Sequence, residues 1–122
     1  MDINKLKQIK RKRRHLRLRK KIFGTEKRPR LFAYRSHKNM YAQVVDDTKG
    51  KTIFSLSTLN KEIKDKISSG GNIRAAMTLG EILAQKLKEK GIEKIVFDRG
   101  AFPYTGRIKA LAEGLRKGGL DF

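Results

Sequence analysis

"RLFAYRSHKNMYAQVVDDTKGKTIFSLS", residues 30–57, holds three short runs rich in aliphatic and aromatic residues, Arg30–Ser36, Met40–Asp46 and Lys51–Ser57. They are separated only by His37-Lys38-Asn39 and by Asp47-Thr48-Lys49-Gly50. Gaps this short join antiparallel neighbours, so the three runs predict a β-meander. In the first run Leu31, Ala33 and Arg35 alternate with Phe32, Tyr34 and Ser36; in the second, Met40, Ala42 and Val44 alternate with Tyr41, Gln43 and Val45. Side chains of a strand alternate between its faces, so each run offers one face to a core and turns the other, with its Tyr, Gln and Ser, toward water or a polar ligand.

Outward from this sheet, residues 59–69 are polar and give no clear period, and "SSGGN" ending at Asn72 reads as a flexible lead into a helix with Asn72 as N-cap. Ile73, Ala76, Leu79, Leu83 and Leu87, with Ile82, form a helical stripe, and Gly91 after "KLKEK" suits the C′ position. The run "KIVFD", residues 94–98, is short and almost wholly apolar, as in a strand covered on both faces. A helix precedes it, which predicts a parallel crossover. Ile108, Leu111, Ala112 and Leu115 place a second helix over about 106–117, stopped by Gly118-Gly119. The order βββαβα predicts an α/β fold with a mixed sheet: an antiparallel meander, one parallel crossover strand and two packing helices. The 122 residues suit one globular domain, 29–122, preceded by an arm, 1–28.

That arm carries the charge. The chain has 31 Lys and Arg against 12 Asp and Glu, a net +19, and residues 1–30 alone hold 14 basic and 2 acidic side chains. A compact body so charged repels itself unless a polyanion supplies the counter-charge, so nucleic acid is the expected partner. The stretch Ile9–Gly24 contains Lys10, Arg11, Lys12, Arg13, Arg14, Arg17, Arg19, Lys20 and Lys21 and no acid. An import signal, a membrane-surface helix and a solvated tail compete with a nucleic-acid arm. The apolar stripe Ile3, Leu6, Ile9, Leu16, Phe23 is too thin for the bulky face a membrane helix inserts. Guanidinium forks, five to one over lysine from Arg11 to Arg19, favour docking on phosphates and bases. Like-charge i,i+4 pairs such as Lys10 with Arg14 oppose a free helix, so the arm is expected to be disordered alone and helical, at least over Ile3–Leu16, when bound.

The composition also excludes. No cysteine is present, which removes disulfides and thiolate sites and fits a reducing cytoplasm. The start lacks the apolar core of a secretory signal, and no run of about twenty apolar residues could span a bilayer. His15 and His37 have no carboxylate or cysteine at ligand spacing, so neither reads as a metal ligand or general base. Asp46, Asp47 and Asp98 could meet at strand ends and hold Mg²⁺ as in a nuclease, but paired Asp before a turn is mainly turn chemistry. No cofactor is implied.

Two further patches accompany the arm. Arg35, Ser36, Lys38, Asn39, Tyr41 and Gln43 cluster about the first hairpin, either as ordinary turn chemistry or with Tyr41 stacking on a base and Arg35 and Lys38 on phosphates. Composition does not choose between the two. "DRGAFPYTGR", residues 98–107, leads from a strand end to a helix start, the edge at which α/β sheets bind ligands. There Arg99, Gly100, Tyr104, Gly106 and Arg107 are candidate contacts, or the loop is structural with Asp98 pairing Arg99 or capping.

Taken together, "RPRLFAYRSHKNMYAQVVDD", "AAMTLGEILAQKLKEKGI" and "VFDRGAFPYTGRIKALAEGLRKGGLDF" resemble the bacterial form of the eighteenth large-subunit ribosomal protein family, over essentially the whole chain. The resemblance implies a non-catalytic protein of the cytoplasmic ribosome that binds 5S ribosomal RNA and helps attach it to 23S ribosomal RNA in the central protuberance, beside other large-subunit proteins, and that is a monomer when free. It assigns the arm from Lys10 to Lys21, the hairpin residues Arg35, Ser36, Lys38, Tyr41 and Gln43, and the loop residues Asp98, Arg99, Gly100, Tyr104, Gly106 and Arg107 to that family's motifs. Asn39, Ala101 and Thr105 depart from the family's usual His, Gly and His. A free-standing basic RNA-binding factor is the alternative.

Overall fold

The computed structural model describes residues 2–122, apart from the side chain of residue 18. The meander forms as expected: β1 (Arg30–Arg35), β2 (Met40–Asp46) and β3 (Lys51–Ser57) pair antiparallel, with Leu31 opposite Val44 and Ala33 opposite Ala42. After α2 (Lys61–Lys64) and α3 (Ile73–Glu89), the chain returns as β4 (Val96–Asp98), parallel to β1, and ends in α4 (Gly106–Lys117). The four-stranded order β3-β2-β1-β4 is the mixed α/β sheet that the pattern called for. Upstream, the arm forms helix α1, Ile3–Arg19.

Alternation decides which face is core. Leu31, Ala33, Met40, Ala42, Val44 and Leu56 are buried against Leu79, Leu83 and Leu87 of α3 and Ile108, Leu111 and Leu115 of α4. The two helices touch backbone to backbone: a Cβ on Gly80 would lie 2.5 Å from the carbonyl oxygen of Leu111 and 2.9 Å from the nitrogen of Leu115. The Asn72 side chain accepts a hydrogen bond from the Ala75 N–H at 2.8 Å, the N-cap expected of it.

Four readings change. Ile73 does not share the buried stripe: it is 57% exposed, because a side chain in the first turn of a helix points back over its start, here into a surface groove. The polar stretch after Leu59 contains the short α2, which buries Ile63. Gly70 and Gly71 are not a loose lead. A Cβ on either would sit 2.9 Å from the carbonyl oxygen of Lys38 or His37, so this loop needs glycine to pack on the first hairpin. Finally, β4 is three residues long at the sheet edge, with Val96 and Phe97 half-buried, because both large helices cover one face of the sheet only.

Each edge of the sheet carries a local irregularity or cap. The β2–β3 ladder shifts register between Val44 and Val45, and beyond it the Ser57 N–H donates to Asn60 Oδ1 at 2.9 Å. On the other side, a parallel bridge between Lys94 and Asp121 lies just beyond β4, with Ile95 N–H donating to the Asp121 carbonyl at 3.2 Å.

Candidate nucleic-acid interface

Arg30, Phe32 and Tyr34 alternate out of β1 onto the face opposite the core, and α1 docks there. Arg30 holds two carboxylates apart. Its Nε and Nη2 donate to Asp47 at 3.0 and 3.2 Å, and its Nη1 donates to Asp98 at 2.9 Å. Asp47 also accepts the Gly24 N–H at 2.8 Å and lies 3.5 Å from Arg19 Nη2; Asp98, fully buried, accepts the Gly100 N–H at 2.9 Å. Burial alone would raise the pKa of Asp47, but hydrogen bonds from Arg30 and Gly24 and the charges of Arg30 and Arg19 hold it below the usual carboxylate value. For Arg30, desolvation pulls downward and the two carboxylates more than offset it, so its pKa is raised.

This arrangement disposes of two readings. Asp98 pairs with Arg30, not Arg99, because the alternation of β1 aims Arg30 at the end of β4. Asp46 is occupied by Thr48, and Asp47 and Asp98 are bridged by a guanidinium; among the described residues no cluster of three metal-ligating side chains exists.

The His15 ring stacks on Phe32 at 5.2 Å, Phe32 on Tyr34 at 5.3 Å, and Tyr34 on Tyr41 at 4.9 Å, a row of rings running from α1 to the hairpin. With α1 so placed, Arg14, Arg17, Lys20 and Lys21 face Arg99, Gly100, Ala101 and Pro103 across a cleft of about 510 Å³ that no acidic side chain lines. Gly100 has φ +59°, and a Cβ there would lie 3.0 Å from the Phe32 ring, so the loop approaches the row only through glycine. Arg99 Nη1 donates to the Phe102 carbonyl at 2.6 Å and braces the loop.

On the other side of Pro103, Arg35, Arg74 and Arg107 line a second groove of about 660 Å³ with Asn72, Thr105 and Gly106. Arg107 donates to the Ser36 carbonyl at 2.9 Å; burial first, and then the nearby Arg35 charge, lower its pKa. The Arg35 guanidinium lies over the Phe102 ring at 5.0 Å. One loop, residues 99–107, thus separates two cationic hollows.

The sequence candidates divide accordingly. Arg14, Arg17, Lys20, Lys21, Arg99 and Gly100 converge on the first cleft, and Arg35, Gly106 and Arg107 on the second groove. Lys10, Arg11, Lys12 and Arg13 lie exposed further along α1, and Lys38 lies exposed in the hairpin turn, lining neither. Tyr41 and Gln43 line a shallow hollow of about 170 Å³ on the sheet face. Arg19 is engaged by Asp47 and the Ile22 carbonyl. Ser36 and Asn39 bond to each other across the turn, and Asn39 Oδ1 accepts from Thr58 at 2.9 Å, which is turn chemistry. Tyr104 leans edge-on against Phe97, 6.4 Å away, and accepts from Arg116 at 3.4 Å, outside both hollows.

Sequence reasoning missed Arg30, Asp47, His15 and Phe32 as the parts that seat α1, and Arg74 as a lining residue. The alternation of β1 carried a signal for Arg30, which falls on the same face as Phe32 and Tyr34.

The chain matches the family model described as "Ribosomal L18 of archaea, bacteria, mitoch. and chloroplast" over residues 5–122. It is 52% identical to the large ribosomal subunit protein uL18 of Dictyoglomus thermophilum over 122 residues, the whole of both chains. It is 56% identical to uL18 of Trichodesmium erythraeum over 110 residues, 90% of this chain and 92% of that one. With uL18 of Thermotoga petrophila the identity is 51% over 116 residues, 95% of each. Two cationic hollows that no acidic side chain lines fit a match of this extent: the chain belongs to the ribosomal L18 family and is a structural, non-catalytic component of the large ribosomal subunit.

Proposed function

We propose that this chain binds 5S ribosomal RNA and helps attach it to 23S ribosomal RNA in the central protuberance of the cytoplasmic ribosome. The observation that carries the reading is the first cleft. Four cations of the arm and Arg99 of the body face one another there without an intervening carboxylate, which suits the phosphates of an RNA strand. The second groove, with three guanidinium groups, supplies a separate set of phosphate contacts on the globular domain, 29–122. Tyr41 ends the row of rings and offers its face to an unpaired base. The arm, 1–28, and the body therefore both contribute to the first cleft.

The test is competition. Labelled 5S ribosomal RNA should bind tightly and salt-sensitively and should stay bound in excess unrelated RNA of equal length. Equal affinity for the two RNAs would reduce the surface to a general cation exchanger and end the proposal.

A further inference from the structure

We propose that His15 is a positioning residue that fixes the rotation of α1 on the body, through an Nε2–H donated to Asp98 and a stack on Phe32, without itself touching RNA. The inference rests on the reading that the cleft beside α1 takes RNA phosphates.

Among the described side chains of this helix, Ile3, Leu6 and Leu16 are 65, 39 and 56% exposed and add little apolar burial. Among the described side chains, two polar ones a turn apart reach body carboxylates. His15 meets Phe32 and Asp98, and Arg19 meets Asp47. Arg30 holds the two receiving carboxylates in place, so α1 is plugged into a two-point socket. Two points fix the rotation of a helix about its axis; one does not. That rotation decides whether Arg14, Arg17, Lys20 and Lys21 face Arg99 or point to open solvent.

The tautomer follows from the surroundings. His15 Nε2 is buried without a hydrogen-bond partner, and the atom it faces is Asp98 Oδ2 at 3.5 Å. Asp98 already accepts from Arg30 and Gly100, and a carboxylate has about four acceptor sites, so acceptor capacity remains for His15. A lone pair on Nε2 would oppose that oxygen, whereas Nε2–H closes to a hydrogen bond with a shift of about 0.3–0.8 Å. The ring lies 8° from parallel with Phe32, so it is held flat while Nε2 points at the carboxylate.

The experiment uses the full chain. Because the protein has no cysteine, spin labels at Gln8→Cys and at exposed Lys66→Cys report the α1-to-body distance. In the complex with 5S ribosomal RNA, where the arm is helical, a single narrow distance is expected in the parent, and a broad one in both His15→Phe, which keeps a ring, and His15→Ala. Nitrogen-15 histidine spectra should show His15 as the Nε2–H form, with exposed His37 as internal reference. His15→Phe should weaken 5S ribosomal RNA binding about tenfold, as loss of one hydrogen bond to a charged group does. A parent in the Nδ1–H form, a His15→Phe chain with the parent's distance, or a loosened α1 with unchanged RNA affinity would each overturn the proposal. If the parent showed a narrow distance but no preference for 5S ribosomal RNA, the functional reading would fail while the socket stood.

Discussion

Replacing Arg14, Arg17, Lys20 and Lys21 together by glutamine empties one wall of the first cleft and leaves Arg19, which Asp47 engages, in place. Each phosphate contact contributes about 0.7–0.9 to the slope of log affinity against log salt, so four lost contacts should flatten it by about 2.8–3.6. Over a rise from about 50 to 200 mM salt, the variant's affinity should therefore fall about 50- to 150-fold less than the parent's. Fluorescence anisotropy of labelled 5S ribosomal RNA across a KCl series measures both slopes. The control removes equal charge elsewhere: Lys66, Lys88, Lys109 and Lys117, exposed and outside both hollows, become glutamine. That control should change the slope by less than one cleft contact. If it flattened the slope as much as the cleft variant did, net charge alone would explain binding and the cleft would lose its role.

Three further outcomes follow from the geometry. Gly80→Ala, whose Cβ would press on the Leu111 carbonyl, should lower stability by about 1–3 kcal/mol in urea unfolding, and a wild-type midpoint would show that the α3–α4 crossing can open freely. Because the pKa of Asp47 is lowered on folding, its contribution is present above the unfolded carboxylate value of about 4 and is lost as pH falls through the folded value; Asp47→Asn should lessen the acid limb of a stability–pH profile, and an identical limb refutes this. Tyr41→Ala should cost about 1–3 kcal/mol of RNA binding if a base stacks there, with unaltered affinity returning Tyr41 to the sheet alone.

The meander, the two long helices and the parallel return were legible because each rests on local periodicity: Leu31 and Ala33, and again Ala42 and Val44, at period two, and Leu79, Leu83 and Leu87 at helical spacing. The basic surface was legible from charge runs. What eluded sequence reasoning is non-local. Like-charge repulsion within residues 9–24 is visible in the chain, but the carboxylates that answer it, Asp47 and Asp98, join the arm only after folding, the first lying 28 residues from Arg19. Ser36 and Asn39 look like ligands by type, and only the fold shows the Ser36 hydroxyl and the Asn39 Oδ1 engaged within the protein. Ile73 fits the stripe by spacing, yet in the first turn it has no helix opposite it.

The interrupted sheet edges bear on the life of this chain before its RNA is available. A +19 polypeptide made apart from its polyanion would be drawn into mixed deposits with any free nucleic acid, which screens the charge that keeps copies apart. Under those conditions an open strand edge would template growth from one copy to the next. The register shift along β3, the Asn60 side chain just after it and the bridge of Asp121 to Lys94 beyond β4 shorten the straight edge that another copy could extend. Condensates with nucleic acid should accordingly dissolve with salt more readily than they harden into cross-β solid.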